Sequence, residues 1–117
     1  MYDGVNRLIS KTINGLTSSY SYDDNDNIET FTNSGSLTTV FSYDDNDNVA
    51  SITNANSVTT VFTYNTKDQL ESESCKALNT EYSYNDDDTL DEVEKQVVKL
   101  YKLITLTMVS TMAQELL

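Results

Sequence analysis

Aromatic and β-branched residues alternate along most of this chain in a pattern that is typical of β-strands. Segments 37–43 and 58–64 read LTTVFSY and VTTVFTY, and each ends in an aromatic-x-aromatic pair. Residues two apart in a strand lie on the same side of the sheet, so each pair places two rings on one face. The pairs are Tyr20/Tyr22, Phe41/Tyr43, Phe62/Tyr64 and Tyr82/Tyr84. The pattern therefore predicts strands that share an aromatic face.

Each pair is followed by a polar run of turn-forming residues, such as Asp-Asp-Asn-Asp at 23–26. Asp and Asn bond to nearby amides and tolerate the left-handed conformation that a three- to five-residue hairpin connection needs at its last position. We expect that position to be filled by Asn6, Asp26, Asp47, Asp68 and Asp88. A second turn is predicted in the middle of each repeat, at 14–15, 34–35, 54–56 and, with less distinct turn residues, 76–79.

The tyrosine that starts each turn recurs at intervals of 20, 21, 21 and 20 residues. The repeated pairs are Tyr2 and Asp3, Tyr22 and Asp23, Tyr43 and Asp44, Tyr64 and Asn65, and Tyr84 and Asn85. An aliphatic residue follows each tyrosine at Leu8, Ile28, Val49, Leu70 and Leu90. Two strands of about six residues and two short turns account for this period, so each repeat is predicted to be one hairpin. Because a lone hairpin is marginal in water, we expect an all-β fold over residues 1–92. Its tandem hairpins would stack into one continuous antiparallel sheet, twisted or spiralling, of about ten strands.

The pattern Tyr-Asp-x-x-Gly-Asn/Arg-Leu at this period resembles the YD-repeat, or Rhs-repeat, family from residue 2 to about 92. The chain departs from it by having Asn or Asp where the family has glycine. Family members are large surface or secreted proteins of bacteria, including polymorphic toxins and wall-associated proteins, with teneurins as animal relatives. In them the hairpin strip spirals into a hollow shell, although five repeats are too few to close one.

The resemblance implies a noncatalytic scaffold that is secreted or exposed at the cell surface. Its expected partner is the remainder of a larger Rhs-type chain, or another copy joined through the sheet edges. The family's proline- and aspartate-rich cleavage motif is absent, and the chain has no proline, so autoproteolysis is not expected.

Composition narrows the function classes further. The net charge of -12 opposes binding to nucleic acid or anionic lipid. The chain has no histidine, and no catalytic constellation is evident, so we predict that it is not an enzyme. Neither a signal peptide nor a stretch able to insert into a membrane is recognisable. Cys75 is interpreted as a small strand residue rather than a reactive thiol.

The alternative function is a cell-surface binding module for calcium or carbohydrate. Closely spaced carboxylates suit calcium, and the weak candidates are Asp24, Asp26, Asp45 and Asp47. Their turns match neither an EF-hand nor a calcium-binding β-roll, so the expectation is no cofactor. The tyrosine face could stack on the sugar rings of glycans, but tyrosines at period two are more often packed within a sheet.

Residues 93–117 break the pattern, since Ile104-Thr105 stands where a sixth tyrosine-aspartate pair is due. Val93, Val97, Leu100 and Ile104 fall on one helical stripe, and Thr89-x-x-Glu92 resembles a capping box. The pattern predicts a short C-terminal helix from about 90 to 104. Two interpretations of this tail stay open: a cap over the sheet edge, and a frame-shifted remnant of a longer repeat array.

Overall fold

A computed structural model describes residues 1–97, and these form one antiparallel sheet whose nine strands follow chain order. The strands are β1 (Ser10–Ile13), β2 (Leu16–Tyr22), β3 (Ile28–Thr32), β4 (Thr38–Tyr43), β5 (Val49–Thr53), β6 (Thr59–Tyr64), β7 (Leu70–Cys75), β8 (Leu78–Tyr84) and β9 (Leu90–Val97). An isolated bridge between Tyr2 and Leu8 precedes them. The predicted all-β hairpin strip is thereby confirmed.

Two kinds of turn alternate along the chain and lie at opposite ends of the strands. We call those that follow the repeated tyrosines the YD turns (3–7, 23–27, 44–48, 65–69 and 85–89) and the others the mid-repeat turns (14–15, 33–37, 54–58 and 76–77). The residue expected to be left-handed has a positive φ in every YD turn: Asn6 (69°), Asp26 (68°), Asp47 (63°), Asp68 (59°) and Asp88 (65°). In two mid-repeat turns this position is held by Ser36 and Ser57, which the sequence did not single out.

A β-bulge accompanies each YD turn that joins two of the named strands. Tyr22 pairs with Ile28 while Ser21 pairs with Thr30, so Glu29 is an extra residue in β3. Ala50, Glu71 and Asp91 are the extra residues at the same place in β5, β7 and β9. Bulges increase local twist, and here they place every repeat tyrosine opposite the aliphatic residue of its own hairpin.

The sheet has two chemically different faces. The aromatic face holds the paired rings, and Tyr20 and Phe31 lie opposite each other with centroids 5.2 Å apart. The hydroxyl face holds Ser and Thr pairs across neighbouring strands, such as Ser42 with Ser51 (Oγ to Oγ, 2.7 Å). Within residues 1–97 no second layer covers the sheet, and no hydrophobic side chain there is fully buried. Thr80 is only 1% exposed, since its small side chain lies in a row between the larger Glu73 and Lys95.

The predicted helix from about residue 90 is wrong over the residues that the structure describes. Residues 90–97 are strand β9, antiparallel to β8, with Val93 opposite Tyr82. A spacing of four, as between Val93 and Val97, keeps residues on one side of a strand as well as of a helix, so the stripe did not discriminate. Thr89 does not form the predicted capping box, because its N–H and its hydroxyl both donate to Asp87.

The remainder of the predicted helix, 98–104, lies outside the described residues. The two interpretations of the tail, as a cap over the sheet edge or as a frame-shifted remnant, also concern residues outside the described part. The proposed boundary at residue 92 stays a prediction, and β9 runs across it. Among residues 1–97 no helix is long and apolar enough to cross a membrane.

Candidate functional site

The repeat tyrosines join each hairpin to the one before it. The hydroxyl of Tyr43 donates to the backbone carbonyl of Ile28 in the preceding repeat, at 2.8 Å. The same bond is made by Tyr22 to Leu8 (2.8 Å), Tyr64 to Val49 (2.9 Å) and Tyr84 to Leu70 (2.8 Å). The acceptor is always the aliphatic residue that pairs across the bulge with the preceding tyrosine. A phenylalanine at these positions could fill the space but would leave that carbonyl without its donor.

Tyr2 begins the first repeat and differs from the other repeat tyrosines. It pairs with Leu8, but its side chain is 64% exposed. The tyrosine hydroxyl therefore contributes to the junctions between successive repeats rather than to the hairpin that the tyrosine starts.

The Asp or Asn after each tyrosine organises its own turn. In 23–27, the Oδ1 atom of Asp23 accepts the backbone N–H groups of Asn25 and Asn27, both at 2.9 Å. Asp3, Asp44 and Asn65 make the same two bonds in their turns. These bonds satisfy amides that the reversal leaves without strand partners, and an Asn oxygen serves as well as a carboxylate. The fifth turn departs, because there Asp87 rather than Asn85 accepts from Thr89.

A ladder of side-chain bonds runs from one YD turn to the next, and we call it the turn ladder. Asn25 and Asn27 of the second turn donate through their Nδ2 atoms to Oδ1 of Asp47 in the third, at 3.2 and 2.7 Å. Asn46 and Asn48 donate in the same way to Asp68, at 2.8 and 3.0 Å. The acceptor is each time the left-handed Asp, so this residue both allows the turn and anchors the preceding hairpin.

Cations take over the donor role at two other steps of the turn ladder. Lys67 Nζ lies 2.5 Å from Oδ1 of Asp88, and Gln69 Nε2 lies 3.3 Å from the same atom. Arg7 lies between Asp3 (2.7 Å) and Asp26 (2.5 Å), with its guanidinium carbon 4.7 Å from the Tyr22 ring centroid. Two basic residues, Arg7 and Lys67, are thus paired at the YD turns, and Arg7 is also stacked there.

The electrostatic environment follows from this arrangement. Burial raises the pKa of the Tyr43 and Tyr64 phenols, and the charges of Asp23 and Asp44 raise them further. The hydrogen bond from Lys67 is the main cause that lowers the pKa of Asp88. For Asp44, burial is the largest influence and raises the pKa, but the backbone and side-chain bonds from Asn48 outweigh it, so the net shift is downward. The YD turns thus favour neutral phenols beside ionised carboxylates.

The weak calcium candidates divide into two groups. Asp26 and Asp47 are acceptors in the turn ladder, whereas Asp24 and Asp45 lie exposed at the turn tips. Within residues 1–97 no three acidic or cysteine side chains are close enough together to hold a metal ion. The surface depressions are open grooves, and the groove at β8 and β9 is lined by Glu81, Glu92 and Glu94. Glu81 and Glu94 are directly opposite each other, a like-charge pair that disfavours the sheet.

The repeat tyrosines, the Asp or Asn that follows each of them and the left-handed positions could be predicted from the sequence, whereas the donors of the turn ladder were not predicted. The signal was present: the positions on both sides of the left-handed residue hold amides or cations at the repeat period in turns two to four. The hydroxyl pairs of the other face were also missed, because Ser and Thr alternation suggests only solvent exposure.

Part of the chain matches a known protein family. Residues 43–75, from the third repeat tyrosine to the end of β7, match the family model described as RHS Repeat. No curated protein sequence matches the chain. The match covers the third YD turn, the mid-repeat turn after it and the fourth YD turn, and so includes one complete step of the turn ladder. The resemblance inferred from the tyrosine-aspartate pattern is confirmed over residues 43–75, which are similar to an RHS repeat.

Proposed function

We propose that this chain is a noncatalytic scaffold, a strip of YD repeats of the kind that builds the shell of secreted or cell-surface Rhs-type proteins. The observation that supports this most directly is the tyrosine-to-carbonyl bond repeated at four successive junctions. The hydroxyls of the last four repeat tyrosines are engaged in joining hairpins, so these side chains serve the structure of the strip. A strip built this way extends by adding hairpins, since each contacts only its neighbours.

The direction of the turn ladder supports continuation at the sheet edges. The first four YD turns donate toward the next repeat, and the second to fifth accept from the previous one, so side-chain chemistry as well as backbone pairing joins successive hairpins. The partner that fits is the remainder of a larger Rhs-type chain, or another copy that adds its own edge. At the fifth turn Asp87 stands where Asn25, Asn46 and Lys67 donate in earlier turns. A following turn therefore fits best if it offers a donor in return.

The alternative is a surface module that binds glycans or calcium. The glycan version has one favourable observation, because the aromatic rings are half-buried rather than fully buried. The calcium version has less support, since Asp26 and Asp47 already accept hydrogen bonds from neighbouring turns.

Thermal unfolding of the full chain separates these functions. A scaffold has the same Tm in millimolar calcium, in chelator and across a panel of glycans, because only ligands that bind the folded state raise Tm. A saturable rise in Tm with calcium that disappears in Asp24→Asn/Asp45→Asn would replace the scaffold by an ion-binding module. A rise with one glycan class, absent in Tyr20→Ala, would replace it by a carbohydrate-binding one.

A further inference from the structure

The aromatic face presents apolar surface that nothing in the described part of the chain covers. The rings lie beside one another on the sheet, and no other element among residues 1–97 lies above them. Three large aliphatic side chains at the mid-repeat margin of this face are more than two-fifths exposed: Ile13 (56%), Leu16 (61%) and Leu78 (45%). Ile13 and Leu16 lie opposite each other at one end of the sheet and Leu78 lies near the other end, with half-buried rings between them. Exposed apolar surface that extends across a sheet face in this way usually marks a contact with another molecule.

The area of this face suits a stable dimer. Nine strands at a spacing of about 4.8 Å extend about 40 Å, and strands of about six residues are about 20 Å long. The face is therefore on the order of 800 Å² per copy, or about 1,600 Å² for two copies, which is the size of a standard specific interface. By contrast, the twenty residues from 98 to 117 would span about 300 Å² even as one full helix.

Charge on this face does not oppose self-association. The chain has a net charge of -12, yet the strand positions of the aromatic face hold Lys11, Glu73 and Lys95, which sum to +1. The excess negative charge lies instead at the YD turns and on the hydroxyl face, where Glu81 and Glu94 pair. Two aromatic faces can therefore approach while the acidic turns remain at the rim.

We propose that a second copy of this chain covers the aromatic face, so that two sheets pack face to face as an isologous dimer. Sheets that pack in this way lie about 10 Å apart with their strands within about 30° of each other. The inference does not depend on the scaffold function, because it concerns the face of the sheet, whereas extension of the strip uses the edges.

Sedimentation equilibrium of the full chain tests the proposal with two matched variants. Leu78→Glu and Val61→Glu introduce the same charge at residues of nearly equal exposure, 45% and 43%, on the aromatic and hydroxyl faces respectively. We expect a dimer that dissociates on dilution, a dissociation constant weakened at least about tenfold by Leu78→Glu, and no more than a twofold change for Val61→Glu. Both side chains are already partly exposed, so neither variant requires a buried core position to tolerate a charge.

The single cysteine supplies a second measurement on the unmodified chain. Cys75 is half-buried and lies on the aromatic face, beside Glu73 in the same strand alternation. In a face-to-face dimer its reaction with a disulfide reagent slows as protein concentration rises. A concentration-independent monomer overturns the proposal, whether the thiol reacts freely or is covered within one chain. A dimer weakened by neither variant points to edge pairing and likewise overturns it, while leaving the scaffold function intact.

Discussion

The mid-repeat turns and the YD turns form different hydrogen bonds, although both contain Asn and Gly. At the mid-repeat turns, side chains bond within one hairpin: Asn33 accepts from Gly35 and Leu37, and Thr32 pairs with Thr38. At the YD turns, side chains also bond between hairpins, through the tyrosine hydroxyls and the turn ladder. In this strip, side-chain bonds between hairpins lie along the margin of the YD turns, and backbone pairing holds the strands over the rest of the sheet.

The largest expected effect is a loss of stability at alkaline pH. Because the folded state raises the pKa of Tyr43 and Tyr64 above the ordinary value near 10, their contribution is complete below pH 10 and is lost as pH rises through the folded-state pKa. Ionisation removes the donor protons of two junctions at once. Tm measured against pH falls steeply above about pH 10. In Tyr43→Phe/Tyr64→Phe, which starts lower, the fall is shallower; equally steep curves would contradict this role.

Removing one hydroxyl tests a single junction. Tyr64→Phe keeps the ring but removes the bond to Val49, and we expect urea unfolding to show a loss of about 1–2 kcal/mol. Tyr20→Phe is the control: it lies on the same face, and its hydroxyl forms no hydrogen bond with the residues that the structure describes. That control changes the free energy of unfolding by less than about 0.5 kcal/mol. Equal losses in the two variants would show that the hydroxyl is not specific to the junction.

Glycine substitutions at the left-handed positions compare the two kinds of turn directly. Ser57→Gly relieves backbone strain in a mid-repeat turn and raises stability by up to about 1 kcal/mol. Asp47→Gly relieves similar strain but removes the acceptor of Asn25 and Asn27, so stability falls by about 0.5–1 kcal/mol. Chemical denaturation measures both. If both variants are stabilised equally, the turn ladder contributes nothing.

The smallest effect concerns the one step of the turn ladder that uses a lysine. Lys67 and Asp88 are both more than half exposed, so their ion pair is screened by salt and contributes less than about 1 kcal/mol. Lys67→Gln restores the amide chemistry of the preceding turns. We expect a change below about 0.5 kcal/mol and a weaker dependence of Tm on salt concentration. A large loss that persists in high salt would mean that Lys67 acts other than through its charge.

The repeat unit and the kind of turn could be predicted from the amino-acid pattern alone. Alternating aromatic pairs specify strands because only one period suits a pleated sheet, and Asn or Asp at residues 6, 26, 47, 68 and 88 specify left-handed turns because few other residues tolerate that conformation. Both are local properties, readable within six or seven residues.

The bonds between repeats could not be predicted from the amino-acid pattern. Hydrogen bonds such as those from Tyr43 to Ile28 and from Asn27 to Asp47 join residues 15 and 20 positions apart, and they exist only once the strand register and the bulge are set. The strand at 90–97 was likewise decided by pairing with β8, since its spacing suits a helix equally well. Local patterns specify a hairpin. The hydrogen bonds that hold successive hairpins together depend on which atoms of the neighbouring repeat lie within bonding distance in the folded sheet.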